Sequence, residues 1–485
     1  MARVSAVAWF PLVIVLSCGL WGRPGTALGA PERATPRERQ LETTVADLTR
    51  RLLALEQQVS ELKAAPASAI STPASLAAQA PLPVQAQATP LVNATTTSAL
   101  PAALKPASPP AGKVNVGPQG KGTVFASADG RNTLKLQGRV QTLYHQQYMD
   151  QAEDQGGFQL RRLKLVAAGQ ADGKANEYQL MLEASSGNGP TQTDRVRVDD
   201  FWFQHTFDPE FKVRLGQFKT PFSRQWIGSV TALTFTDWPL AGRVFASNPP
   251  AGEYKASDFA LLPTHGVGRN IGVQLWGDLG ERSILRWFAG AFNGEGQNGK
   301  NKNSGLMYVG RLEWMPWGDV PYTEGSQMRP KDALLALDAG FALDERTEII
   351  DIDRTVKTGL FDREDRRLSN LGYSFKWRRF DTQGEYFRQW TDPVATALPR
   401  IGSDGWYLEA GYLLSPDNWE LSWRESEVDP DRAIALDVLH ESGPSIVYYL
   451  NGHDHKVIAD VMRLTDEANA ANDQTRARVL YYFSF

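Results

Sequence analysis

Residues 196–222 read VRVDDFWFQHTFDPEFKVRLGQFKTPF, and their spacing decides the fold class. Phe201, Phe203 and Phe207 alternate with Trp202, Gln204 and Thr206, so one face of an extended segment is aromatic and the other mostly polar. After Asp208, Pro209 and Glu210 the alternation resumes, with Phe211, Val213 and Leu215 on one face and Lys212, Arg214 and Gly216 on the other. That is a hairpin with a very short connection. Beyond Phe218 a Gly-, Pro- and aromatic-rich segment continues until a strand pattern returns near Asn270, a length unusual for a loop in a compact soluble domain. Hairpin and loop are read as parts of a transmembrane β-barrel whose pore the loop shapes.

The same alternation recurs from about residue 134 to the end of the chain. Leu134, Leu136, Gly138 and Val140 oppose Lys135, Gln137, Arg139 and Gln141, and Leu163, Leu165 and Ala167 oppose Arg162, Lys164 and Val166. About sixteen such segments are found, an even number of strands of the length a tilted spanning strand needs. Connections after the even-numbered segments are mostly short and turn-like, whereas those after the odd-numbered segments are long and polar. Short turns on one side and long loops on the other mark an outer-membrane barrel. Residues 316–332 break the rule, a long connection where a short one is due, and leave room for a missed element. The chain ends on Phe485 at the close of a strand in which Ala477, Val479, Tyr481 and Phe483 share its face. Such an end is what the outer-membrane barrel-insertion machinery receives.

Upstream, residues 1–30 form a secretory signal, with Arg3 at its positive end and an apolar run from Ala6 to Leu20. A rival reading makes Cys18, the single cysteine, a lipidation site. Over 35–63 the apolar residues Leu41, Val45, Leu48, Leu52, Leu55, Val59 and Leu62 step by four and three, a heptad seam. This predicts a periplasmic, oligomerising coiled-coil helix of roughly three heptads, with a lone amphipathic helix as the alternative. Residues 64–125, rich in Ala, Pro, Ser and Thr, form a disordered linker, and 126–485 the barrel domain with a long third loop over 219–267. The fold class is thus all-β, a transmembrane barrel of about sixteen antiparallel strands preceded by a coiled coil and a linker.

The formal net charge of −4 argues against a nucleic-acid partner. No apolar run after the leader reaches the roughly 18 residues that a spanning helix needs, so the membrane is crossed by strands. No enzyme is expected. His205 and Ser223 lack a nucleophile motif, and His453 and His455 flank Asp454 on a turn without further ligands. No cofactor and no metal site follow. The competing class is a soluble, surface-anchored all-β binding protein such as a propeller, which explains alternation but not loop parity.

Residues 213–222, VRLGQFKTPF, resemble the strand and loop entry of the phosphate-selective porins O and P of Gram-negative outer membranes. FQLRRLKLVAAGQ over 158–170 resembles that family's paired-arginine strand, and VDDFWFQHTF over 198–207 adds support. The resemblance implies a homotrimer of barrels in outer-membrane lipid, a third loop folded into each lumen, and basic residues along a path for phosphate-like anions. After Phe222 the loop departs from the family, carrying Trp226 and Trp238 and few basic residues.

Strand parity gives its own candidate list. With the apolar faces against lipid, Lys135, Arg139, Arg162, Lys164, Lys212 and Arg214 point inward, with Arg311, Lys376, Arg424, Arg476 and Arg478 further on. Glu183, Asp200, Glu313 and Glu420 share those faces. Lys219, Arg224 and Arg243 in the long loop are candidates for the constriction. A basic ring in a narrow passage concentrates anions. The plainer alternatives are that each inward cation pairs with an inward carboxylate, and that the pore is a general one for small solutes.

Overall fold

A computed structural model describes residues 112–118, 120–185, 195–247, 267–280, 284–301, 304–347, 364–393 and 400–485. The leader, the heptad segment and most of the linker lie outside the described residues. Two short strands come first, β1 (Lys113–Val116) and β2 (Thr123–Ala126). The first half of the barrel is β3 (Thr133–Met149), β4 (Gln155–Gln170), β5 (Asn176–Ser185), β6 (Arg195–Asp208), β7 (Phe211–Lys219), β8 (Arg269–Leu279), β9 (Leu285–Phe292) and β10 (Met307–Trp314). The second half is β11 (Leu334–Thr347), β12 (Glu364–Trp377), β13 (Phe380–Pro393), β14 (Ile401–Leu413), β15 (Trp419–Asp429), β16 (Leu439–Asn451), β17 (His455–Asp466) and β18 (Gln474–Ser484).

From β3 to β18 each strand pairs antiparallel with the next, and β18 pairs with β3, from Gln474 opposite Met149 to Ser484 opposite Arg139. The result is a closed antiparallel barrel of sixteen strands. Every segment expected from the alternation is present. Closure follows from the solvent: hydrocarbon offers no partner to a free N–H or C=O, and each one left bare costs several kcal/mol. At the seam Gly138 N donates to Phe485 O at 2.8 Å and Phe485 N to Gly138 O at 2.9 Å. Where β18 stops, β2 takes over the same edge of β3, Thr123 facing Leu136. The hairpin of β1 and β2 therefore begins inside the segment read as linker. Four-residue strands carry too little alternation to stand out from a low-complexity run.

Side chains obey the parity that the sequence implies. Leu165, Phe201 and Leu371 turn most of their surface outward, while their neighbours Lys164, Asp200 and Asn370 are buried. At the turn end Trp377, Phe380, Tyr412 and Trp419 are exposed on adjoining strands, as an interfacial aromatic girdle requires. Loop parity holds with two exceptions. The connection after β3 is only residues 150–154, because β3 and β4 run past the point where their alternation fades. Beyond the hydrocarbon both faces of a strand are wet, so nothing in the sequence marks its continuation.

The second exception is the connection between β10 and β11. It hides no helix or strand; it folds inward as an irregular turn. Glu324 N donates to Ala232 O at 3.0 Å, Gly325 N to Asp381 at 3.0 Å and Ser326 N to Glu420 at 3.1 Å. Met315 and Val320 pack with Ala336 at its root. Leu371, half-way along β12, tests the lipid-facing assignment. Leu371→Arg is expected to lower stability by about 2–4 kcal/mol in urea titrations of vesicle-refolded protein.

Candidate functional site

Two strand irregularities set the charge of the inner wall. On β4 Gln141 faces Arg162 but Thr142 faces Leu160, so Arg161 is an extra residue in a β-bulge. On β6 Met181 faces Asp200 but Leu182 faces Val198, so Asp199 is extra in the same way. Strict alternation would have sent Arg161 and Asp199 into lipid, at a cost of about 2–4 kcal/mol for the arginine. Each bulge turns both members of a like-charged pair inward, and all four side chains are buried.

The two doublets are matched by partners. Asp199 lies 2.5 Å from Lys164 Nζ, 3.2 Å from Arg197 Nε and 3.7 Å from Arg269 Nη2. Glu183 takes Lys164 at 2.6 Å and Arg197 at 2.5 Å, and Asp200 takes Arg269 at 2.8 Å. Arg161 reaches Asp237 of the long loop at 2.7 Å, and Arg162 stands 4.0 Å from the same carboxylate and 5.3 Å over the ring of Trp238.

The loop itself leaves β7 at Lys219 and enters the lumen. A four-residue helix, α1 (Arg224–Ile227), starts at Ser223, whose Oγ accepts from Trp226 N at 3.2 Å. A helix start leaves backbone N–H groups without partners. Glu385 on the opposite wall meets this need: it accepts from Ser223 Oγ at 2.8 Å, Arg224 N at 2.9 Å and Gln225 N at 3.1 Å. Other wall carboxylates repeat the pattern. Glu441 accepts from Leu240 N at 3.2 Å, Asp460 from Thr236 N at 2.9 Å, and Glu324 of the inward turn from Thr234 N at 2.5 Å.

Beneath these bonds the loop has an apolar core. Phe222, Phe235, Leu240 and Phe245 are almost wholly buried, and Phe245 stacks on Phe387 of β13 with centroids 5.6 Å apart. Gly340 on β11 allows the close approach, since a Cβ there would lie 2.3 Å from Phe222 O. The loop thus seals against β11–β17 with carboxylates to its amides. The cation-rich wall is the one made by β18 and β3–β9.

Sequence comparison matches residues 134–433 to the family described as phosphate-selective porin O and P, well over half of the chain. The chain belongs to that porin family. Among solved structures, the anion-selective porin from Comamonas acidovorans is similar at 16% identity and a TM-score of 0.51, covering 73% of this chain and 100% of its own. The outer-membrane channel DcaP of Acinetobacter baumannii is similar at 12% identity and a TM-score of 0.49, covering 74% and 99%. The first is a likeness of fold. Comparison with curated proteins gives no match. The protein is an outer-membrane porin, and its family and fold are those of channels.

The nine candidate cations of the porin divide into two groups. Five have carboxylate partners: Arg162 and Lys164 as described, Lys212 with Asp278 at 3.0 Å, Arg224 with Glu313, and Arg243 with Glu441 at 2.7 Å. Arg224 and Arg243, candidates for the constriction, thus fasten the loop to the wall. The remaining four, Lys135, Arg139, Arg214 and Lys219, have no carboxylate within 4 Å among the described residues. Arg139 donates to Gln137 at 3.0 Å, Arg214 to Gln204 at 2.8 Å and Lys219 to Gly228 O at 2.5 Å.

Arg311, Lys376, Arg424, Arg476 and Arg478, with Glu183, Asp200, Glu313 and Glu420, are all buried on the inner face as parity requires. Arg161, Arg197, Asp199, Asp237 and Arg269 were not among the candidates. The signal for two of them was in plain view: RR and DD doublets inside alternating strands cannot both face water without a bulge. Glu385→Ala removes the acceptor of three loop donors. The variant is expected to show larger single-channel conductance and more current noise than the parent in planar bilayers.

Proposed function

We propose that the porin passes small anions, phosphate-like ions among them, by passive diffusion through a basic-lined pore. One observation carries the reading. Lys135 and Arg139 on β3, with Arg214 and Lys219 on β7, have no carboxylate within 4 Å among the described residues, while Glu385, Glu441 and Asp460 of the far wall accept from loop amides. Positive charge without a direct carboxylate partner in a narrow, low-dielectric passage raises the local concentration of anions and repels cations.

The same reading takes the protein as three copies in outer-membrane lipid, with residues 35–63 as an oligomerising periplasmic coiled coil and the terminal strand ending in Phe485 as what the insertion machinery takes up. A second reading, a general porin of little selectivity, is favoured by the pairing of Arg162, Lys164, Arg224 and Arg243. Reversal potentials in a salt gradient separate the two, since a general porin gives a value near zero. Replacing Lys135, Arg139, Arg214 and Lys219 together by Gln is expected to lower the anion-to-cation permeability ratio by about threefold or more. A cation-preferring parent channel defeats the assignment.

A further inference from the structure

The four unpaired cations do not share one environment. Arg139 is bonded to Gln137, but Arg214 lies among rings. Its guanidinium is 4.2 Å from the ring centroid of Trp202, 5.5 Å from that of Phe218 and 5.8 Å from that of Trp276. Nε and Nη2 both donate to a single oxygen of Gln204, at 3.1 and 2.8 Å, which leaves the Nη1 side of the fork for a visitor.

The surroundings extend this pattern along β7. Lys212 Nζ sits 3.9 Å over the same Trp276, and Lys219 lies 5.0 and 5.7 Å from Trp226 and Trp238. Trp202 and Trp276 are half-buried, with Trp202 against the loop's core and Phe288 stacked on Trp276 at 5.8 Å between centroids. Register places Gly216 and then Gly272 beside Trp202 across β7 and β8, so no side chain from either position covers that ring.

Such a wall is poorly made for a compact oxyanion. Phosphate stripped of water needs several converging N–H donors, and here the neighbouring donors of Arg162, Lys164 and Arg269 are already taken by carboxylates. The face of an indole ring is electron-rich and offers an anion nothing. A flat organic acid divides its needs differently. Its carboxylate accepts from the free side of the Arg214 fork, and its ring stacks on indole and guanidinium planes.

We propose that the Arg214–Trp202–Trp276 cluster is a binding subsite for aromatic carboxylates, which the pore takes up in preference to inorganic phosphate. The proposal rests on the anion-porin reading above.

The test uses the full-length porin in planar bilayers, with the chloride current titrated by benzoate, cyclohexanecarboxylate and phosphate. Half-block by benzoate is expected at about tenfold lower concentration than by phosphate, and about threefold lower than by cyclohexanecarboxylate, which lacks the π face. Trp202→Leu combined with Trp276→Leu is expected to weaken the benzoate block about fivefold, and more than the phosphate block. Benzoate blocking no better than phosphate overturns the subsite, as does a double variant that folds and blocks as before. The comparison of the two organic acids on the parent protein needs no variant and stands if the substitutions prevent folding. A cation-preferring reversal potential would instead sink the anion reading and the subsite with it. Anion preference with phosphate the stronger blocker sinks the subsite alone.

Discussion

Hydrocarbon accepts no unpaired amide, and everything else in this porin is arranged around that refusal. The strand ladder must close on itself, so the last strand meets the first at Gly138 and Phe485. Closure in turn imposes the strict division of side chains: rings and aliphatic groups to lipid, charges and amides to the interior. The long loop faces a milder form of the same demand. Inside the lumen its irregular backbone has no sheet to join, and wall carboxylates stand in for the missing carbonyls. Glu385, Glu441 and Asp460 serve the loop as a neighbouring strand would serve a strand.

Those carboxylates have a cost in charge that the opposite wall reflects. Acidic side chains gather where the loop needs acceptors, and cations outnumber them across the lumen from it. Most of the cations are nonetheless held in networks, such as the one that ties Lys164, Arg197 and Arg269 to Asp199. Electrostatic character therefore depends on the few that escape pairing, not on the number of basic residues along the strands. Two of the escapees, Arg214 and Lys219, are accompanied by aromatic rings. A ring face brings no counter-charge to a cation, whereas a carboxylate beside one screens it from distant ions.

Much of this was legible in the chain. Alternation over two residues identifies each barrel strand, because a one-residue slip would put every charge into lipid. The same rule puts the basic residues of the strands on the inner face. Three things were not legible, for different causes. The ends of β3 and β4 carry no signal once water reaches both faces. The bulges at Arg161 and Asp199 depend on a partner strand whose register is a property of the pair. The fates of Arg224 and Arg243 depend on Glu313 and Glu441, far along the chain and brought near only by closure. The turn between β10 and β11 belongs with these: its length breaks the loop parity, but its inward path is fixed by contacts with Asp381, Glu420 and the loop.

The loop's dependence on late sequence has a kinetic side. Ser223 and Arg224 bond to a residue about 160 positions downstream, and Thr236 to one 224 positions downstream. Contacts of such separation form only after the intervening chain has been confined. The plug is therefore the last part of the molecule to find its place, and it is assembled from the finished cylinder inward. Until then its phenylalanines and tryptophans are open to proteases and to one another, and acquired resistance of this segment to trypsin would time the completion of each barrel.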